Sequence, residues 1–327
     1  MKKSLMTLGV LALFVLMAYG QEKKFALYSV AFYNMENLFD TIHDEGKNDY
    51  EYLPNGTNQW NTMKYKAKLK NMSEILSMLS TDKLPMGPAI IGVSEIENYR
   101  VLEDILKQPA LADRGYQYVH YEGADQRGVD CAFFYNPKLF ELTNSKLVPY
   151  VYINDTVHKT RGFLIASGNI AGEKMHFIVN HWPSRAAASP ARERAGEQVR
   201  AIKDSLLRED SAAKIVIMGD MNDDPMDKSM AVALGAKRKP ADVGPTDLYN
   251  PWWDTLKKGY GTLMYKGKWN LFDQIVFTGN LLGTDRSTLK FYKHEIFRRD
   301  FMFQKEGKYK GYPKRTQAGG VWLNGYS

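Results

Sequence analysis

Asp220 and Asn222 stand two residues apart in Gly219-Asp220-Met221-Asn222-Asp223-Asp224-Pro225, directly after the apolar run Lys214–Met218. Such a run reads as a buried strand, and a strand ending in Gly-Asp-x-Asn aims a carboxylate and an amide from one tip. The carboxylate can take a proton from water or hold a hard cation. The amide both donates and accepts, so it can orient water or a phosphoryl oxygen. The same residues also suit an Asx or proline turn without chemistry. Three other segments share the design: Phe32-Tyr33-Asn34-Met35-Glu36-Asn37, Gly92-Val93-Ser94-Glu95-Ile96-Glu97-Asn98 and Ile178-Val179-Asn180-His181-Trp182-Pro183-Ser184-Arg185. Taken singly, Asn34 reads equally as an Asx turn, Glu95 as a helix-start residue and His181 as a core or turn histidine. Four tips of one design in one chain favour convergence, because chemistry collects at the carboxyl ends of strands in layered α/β folds. The result would be an oxygen-rich site with one proton carrier. Such a site suits Mg²⁺, Mn²⁺ or Ca²⁺ and not zinc, in keeping with the lack of a Cys cluster or an HExxH pattern.

The elements that must carry these tips are legible as apolar runs. Strands are expected at Phe25–Tyr33, Ala89–Val93, Gln117–Tyr121, Asp130–Tyr135, Gly162–Ser167, Lys174–Val179, Lys214–Met218 and Phe272–Phe277. Several are continuously apolar, as strands covered on both faces are. Lys64–Leu79 sets Leu69, Met72, Leu76 and Leu79 on one helical stripe. Ser189-Pro190 reads as an N-cap followed by proline at the first helical position, opening a helix with Val199, Ile202 and Leu206 on one face. Strands and helices without strict alternation point to α+β, or to a layered sandwich with helices outside. Ala236–Lys268, rich in Gly, Pro and Trp, reads as a long surface excursion, in which Trp252 and Trp253 either stack on bases or pin the loop.

No repeat, low-complexity tract or linker divides the chain, so its 327 residues read as a leader and one domain. Met1-Lys2-Lys3, an apolar run from Leu5 to Met17 and Ala18-Tyr19-Gly20 form a bacterial-type secretory signal over residues 1–20, cut before Gln21. The mature protein is expected to be periplasmic or secreted, monomeric and without a transmembrane segment. A hydrophobic content of 44% with 25% charged residues describes a globular protein with a core. The single cysteine, Cys131, excludes an internal disulfide framework and sits in an apolar run as a core residue. The formal charge of +7 suits a polyanionic substrate without requiring one.

In chain order, Asn34 with Glu36-Asn37, Ser94-Glu95, Arg127-Gly128-Val129-Asp130, Asn180-His181-Trp182-Pro183-Ser184, Gly219-Asp220-Met221-Asn222 and Phe272-Asp273-Gln274 resemble the endonuclease/exonuclease/phosphatase superfamily. The resemblance runs from about Phe25 to the C-terminus and is similar to secreted members from Bacteroidetes-type bacteria. It implies the deoxyribonuclease-I-like fold, a four-layer α/β/β/α sandwich of two mixed sheets packed face to face. It also implies a Mg²⁺- or Mn²⁺-dependent phosphodiester hydrolase, a nuclease above all. By the resemblance, Glu95 is the principal metal carboxylate with Asn34 beside it, and His181 touches the scissile phosphate and can act as an acid. Asp220 positions or deprotonates the attacking water, Asn222 steadies the phosphoryl oxygens and Asp273 orients a second histidine. Arg127 and Arg185 are weaker candidates for phosphate contact, since guanidinium forks match phosphate oxygens. The family ends its site with Ser-Asp-His, whereas this chain ends Gly325-Tyr326-Ser327. The expectation is a truncated chain over 21–327 that lacks its last strand and is impaired in activity. The alternatives are a phosphatase or a lipid phosphodiesterase acting on sphingomyelin- or inositol-type substrates, and a binding protein that has lost its chemistry.

Overall fold

A computed structural model describes residues 25–153, 155 and 157–326; the leader read over residues 1–20 lies outside them. The first sheet contains β1 (Val30–Leu38), β2 (Ile90–Ile96), β3 (Gln117–His120) and β4 (Asp130–Tyr135), in the order β1-β2-β4-β3. β1 and β2 are parallel and the other pairs antiparallel. The second sheet holds β5 (Glu141–Val148), β6 (Phe163–Ile170), β7 (Glu173–His181), β8 (Lys214–Asp220), β9 (Ala236–Lys237), β10 (Leu248–Tyr249) and β13 (Asp273–Thr278). Its order is β5-β6-β7-β8-β13-β10-β9, with β7 and β8 parallel. The short hairpins β11 (Leu263–Tyr265) with β12 (Lys268–Asn270), and β14 (Gln317–Ala318) with β15 (Val321–Trp322), lie outside both. The helices are α1 (Thr62–Ser77), α2 (Tyr99–Leu106), α3 (Ser189–Glu209) and the short α4 (Trp252–Lys257).

Burial alternates along each inner strand and defines the layers. On β8, Val216 and Met218 join Ile90, Phe133, Phe177 and Val179 in the core between the sheets. Ile215 and Ile217, pointing the other way, join Val199 and Leu206 of α3. Leu69 and Met72 of α1 and Leu102 and Ile105 of α2 cover the outer face of the first sheet through Ile91, Val93 and Phe134. Two stacked mixed sheets with a helical layer on each outer face form the four-layer α+β sandwich expected from the sequence. Every residue of β4 and β8 is buried, which is why neither shows an amphipathic alternation.

Differences from the sequence reading have local causes. β1 begins at Val30 because pairing begins there, opposite Ile90; Phe25 and Leu27 are apolar but exposed. β5 gave no signal because it is an edge strand with a mostly polar sequence. Ala188, not Ser189, holds the N-cap position of α3, and Ser189 is its first residue, with Pro190 next. The excursion Ala236–Lys268 is partly sheet, and Trp252 is buried there with Nε1 donating to the Ile275 carbonyl at 2.8 Å. Trp252 is thus a pin. Cys131 is buried, as a core residue should be. Among the described residues no helix is long and apolar enough to cross a membrane.

Candidate active site

Because β1 and β2 run parallel, their carboxyl ends lie side by side, and β7 and β8 repeat this in the facing sheet. β13 enters antiparallel at the same rim, so the register sets His181 opposite Asp220 and Asp220 opposite Asp273. Across the inner layer β1 faces β8 and β13, while β2 faces β7 and β8. Two glycines allow this closeness. A Cβ on Gly92 would lie 2.5 Å from Met218 Sδ, and one on Gly219 would lie 2.3 Å from the Asn180 carbonyl oxygen. A larger residue at 219 would part the two strand tips, and one at 92 would displace the Met218 side chain.

Both tips of the first sheet depart from regular pairing at the site. The register shifts between Asn34 and Leu38 on β1 and between Ser94 and Ile96 on β2. Glu36, Asn37, Glu95 and Asn222 all have left-handed backbone angles, with φ of 45°, 56°, 59° and 52°. Bulges re-aim side chains beside active sites, and left-handed non-glycine residues cost of order 1–3 kcal/mol each, so they persist where surrounding contacts enforce them.

The side chains meet in one group. Asn34 Nδ2 donates to Glu95 Oε1 at 3.1 Å and to Asp220 Oδ2 at 2.9 Å, bridging two carboxylates. The oxygen of the same amide accepts from Glu36 N–H at 2.8 Å, so Asn34 presents a donor to the site. Glu95 Oε2 accepts from Asn37 N–H at 2.9 Å. His181 Nε2 lies 3.6 Å from Glu95 Oε1 and 4.0 Å from Asp220 Oδ2. Asn222 donates its backbone N–H to Asp220 Oδ1 at 2.9 Å and its side-chain amide to the Trp182 carbonyl at 3.0 Å.

Electrostatics single out the same residues. Burial, then the neighbouring Glu95 charge, raises Asp220 above the usual carboxylate range. Burial, then Asp220, raises Asp273. Burial, then the positive charges of Arg161 and Arg127, holds His181 well below its ordinary value, so its imidazole is neutral near pH 7. Among the described residues, His181 Nδ1 and Asp273 Oδ1 are buried without a hydrogen-bond partner.

A divalent cation fits this group. Glu95 and Asp220 each bring a carboxylate oxygen to the group, and an imidazole nitrogen of His181 completes it, the three atoms lying within 4.8 Å of one another. The donors are mostly carboxylate oxygens, whose crowding a positive ion would relieve. A sign follows for stability. The unfolded Asp220 and Asp273 ionise in the ordinary carboxylate range, whereas the folded, cation-free residues keep their protons to higher pH. Their contribution is therefore full at acid pH and is lost as pH rises through the raised folded values. Cation binding displaces those protons, so the Tm gain in Mg²⁺ over chelator is expected to be larger at about pH 8 than at about pH 5. Equal gains in thermal melts at the two pH values would count against a cation at these carboxylates.

The two arginines offered as phosphate contacts sit differently. Arg127 is half exposed at 3.6 Å from Asp125, and its charge reaches His181. Arg185 is committed elsewhere. It pairs with Asp223, Asp224 and Asp227, lies 4.4 Å above the Phe272 ring and donates to the Asn222 carbonyl at 3.1 Å, bracing the turn that carries Asn222. Sequence reasoning missed Arg161. Its buried guanidinium donates to the His181 and Trp182 carbonyls at 3.3 and 3.0 Å and pairs with Asp125 at 3.0 Å. The available signal was a charged residue directly before the apolar run of β6.

The model of the Endonuclease/Exonuclease/phosphatase family matches residues 29–327. No curated protein matches the sequence. Among solved structures, a mannosyl-6-phosphatase from Bacteroides thetaiotaomicron is similar at 14% identity and a TM-score of 0.50, over 76% of this chain and 85% of that one. ANGEL2, a 2',3'-cyclic phosphatase, is similar at 11% identity and 0.50, over 65% and 74%. A humanized D. rerio TDP2 is similar at 14% identity and 0.49, over 76% and 81%.

Proposed function

The chain belongs to the endonuclease/exonuclease/phosphatase family, and from that premise we propose that it is a divalent-cation-dependent phosphodiester hydrolase acting on nucleic acid. The observation that carries this reading is the meeting of Asn34, Glu95, His181, Asp220, Asn222 and Asp273 at one rim of the sandwich. Phosphodiester hydrolysis needs an aligned water, neutralised phosphoryl oxygens and a stabilised leaving oxygen. A bound Mg²⁺ or Mn²⁺ supplies Lewis acidity and orientation. Glu95 is the principal carboxylate for it, with Asn34 fixing the gap between Glu95 and Asp220. Asp220 takes the proton of the attacking water. Neutral His181 presents an N–H to a phosphoryl oxygen, and the Asn222 amide steadies another. Asp273, with one uncommitted buried oxygen, orients a donor brought to the rim.

The nucleic-acid reading draws on the flank beside Asp273. Residues 298–315 hold seven Lys/Arg against two Asp/Glu, five of the chain's formal excess of seven. Aromatic rings interleave with this charge. Arg298 lies over Tyr260, Trp269 and Phe303, while Tyr260, Tyr265 and Tyr309 are exposed. This flank joins the site where Thr262 Oγ1 accepts from the Asp273 N–H at 3.2 Å. Exposed rings and basic groups together suit stacked bases and a phosphate backbone. Replacing Lys305, Lys308 and Lys310 by Ala is expected to raise the KM for an oligonucleotide and to flatten its salt dependence, with a small phosphodiester unaffected. Each lost phosphate contact should remove about 0.7–0.9 from the log–log salt slope. An unchanged slope would turn attention to the lipid alternative. That alternative has its own observation in the exposed Val151, Ile153 and Val157 of the loop leading to Arg161, and cleavage of phospholipid vesicles would test it.

A further inference from the structure

At the carboxyl end of β1 the ladder to β2 is interrupted between Asn34 and Leu38, and Glu36 and Asn37 take left-handed angles in succession. The two amides of this bulge reach the candidate centre. Asn37 N–H holds Glu95 Oε2, and Glu36 N–H holds the side-chain oxygen of Asn34. The orientations of Glu95 and Asn34 thus depend on where a strained piece of backbone sits.

Groups on other elements hold the bulge. Lys68 of α1 is fully buried, and its Nζ donates to the Glu36 carbonyl and, at 3.1 Å, to Thr316 Oγ1. Thr316, also buried, donates its N–H to Glu36 Oε2 at 2.8 Å, and Arg315 pairs with the other oxygen of that carboxylate. Lys68, Glu36 and Thr316 therefore close a ring around the bulge. The segment bringing Thr316 is itself anchored. Trp322 packs on Trp60 with centroids 5.6 Å apart, and Asn71 Nδ2 donates to the Gly325 carbonyl at 2.9 Å. A buried ammonium is expensive to desolvate, and a methionine of similar length would fill the same space without that penalty. The position calls for a donor that reaches a carbonyl and a hydroxyl together.

We propose that Lys68, Glu36 and Thr316 are positioning residues for Glu95. The ring fixes the bulge so that Asn37 N–H keeps the Glu95 carboxylate in the orientation that receives a divalent cation. None of the three touches substrate; each acts through Glu36 and Asn37 backbone. This inference rests on the cation-dependent reading of the site. Groups standing behind metal ligands change metal affinity by about 10–100-fold, which sets the size of the expected effect.

The test is Mn²⁺ binding by the full chain, followed by electron paramagnetic resonance, for wild type, Lys68→Met, Thr316→Val and Thr316→Ser, with a thermal melt of each. Lys68→Met and Thr316→Val should each bind Mn²⁺ about 10-fold or more weakly, while Thr316→Ser, which keeps the hydroxyl, stays near wild type. Thr316→Val is nearly isosteric and decides the matter if Lys68→Met does not fold. Folded variants with wild-type affinity would overturn the positioning role, and so would Thr316→Ser falling as far as Thr316→Val. A wild type that binds no Mn²⁺ would overturn the inference together with the site reading. Unaffected variants of a Mn²⁺-binding wild type would overturn the inference alone.

Discussion

Asp220→Asn is expected to lower turnover by about 10²–10³-fold while leaving the protein folded. Both oxygens of Asp220 accept hydrogen bonds, one from the Asn222 N–H and one from Asn34 Nδ2. An amide at 220 must turn an NH₂ group toward one of these donors, so either the Asn222 turn or the Asn34 bridge is disturbed. It also loses the proton acceptor and one of the carboxylates grouped with Glu95. The strand itself should survive, because Ile215 and Ile217 pack under α3 and Val216 and Met218 between the sheets. Removing one of three crowded acids also relieves repulsion in the cation-free protein. Turnover at saturating Mg²⁺, read beside a melt in chelator, checks both halves. Unchanged turnover would remove Asp220 from the mechanism.

His181→Ala is expected to lower turnover by about 10²-fold, for a different reason. The imidazole is buried beside Glu95 and Asp220, and its proton affinity is depressed, so the role proposed for it near neutrality is that of an uncharged N–H donor. His181→Gln keeps an amide N–H in a similar volume and should retain part of the activity that His181→Ala loses. Equal loss in both variants would refute the neutral-donor role.

The strand tips were legible because each apolar run stops at a polar residue that no core requires. Asp130–Tyr135 was read to its limits, since a strand buried on both faces and bounded by turns leaves a continuous signal. β5 was silent, because an edge strand with a polar face looks like a loop. The bulges at Glu36 and Glu95 were illegible in principle. Left-handed backbone at a glutamate follows from neighbours distant in sequence, and no local propensity announces it. The same holds for Lys68 and Thr316, 248 positions apart, and for Arg161, whose partners lie on two other segments. Arg185 shows the converse. Its residue type suggested phosphate, but three aspartates of the turn after β8 claim its guanidinium.

Whether these residues form one cation-dependent centre is read most directly from hydrolysis of bis(p-nitrophenyl) phosphate by the purified protein, for wild type and Glu95→Gln. The expected result is hydrolysis in Mg²⁺ or Mn²⁺ that stops in excess chelator, returns when the cation is restored, and is lost in Glu95→Gln at every cation concentration tried. Undiminished hydrolysis in chelator, or wild-type hydrolysis by Glu95→Gln, would contradict it.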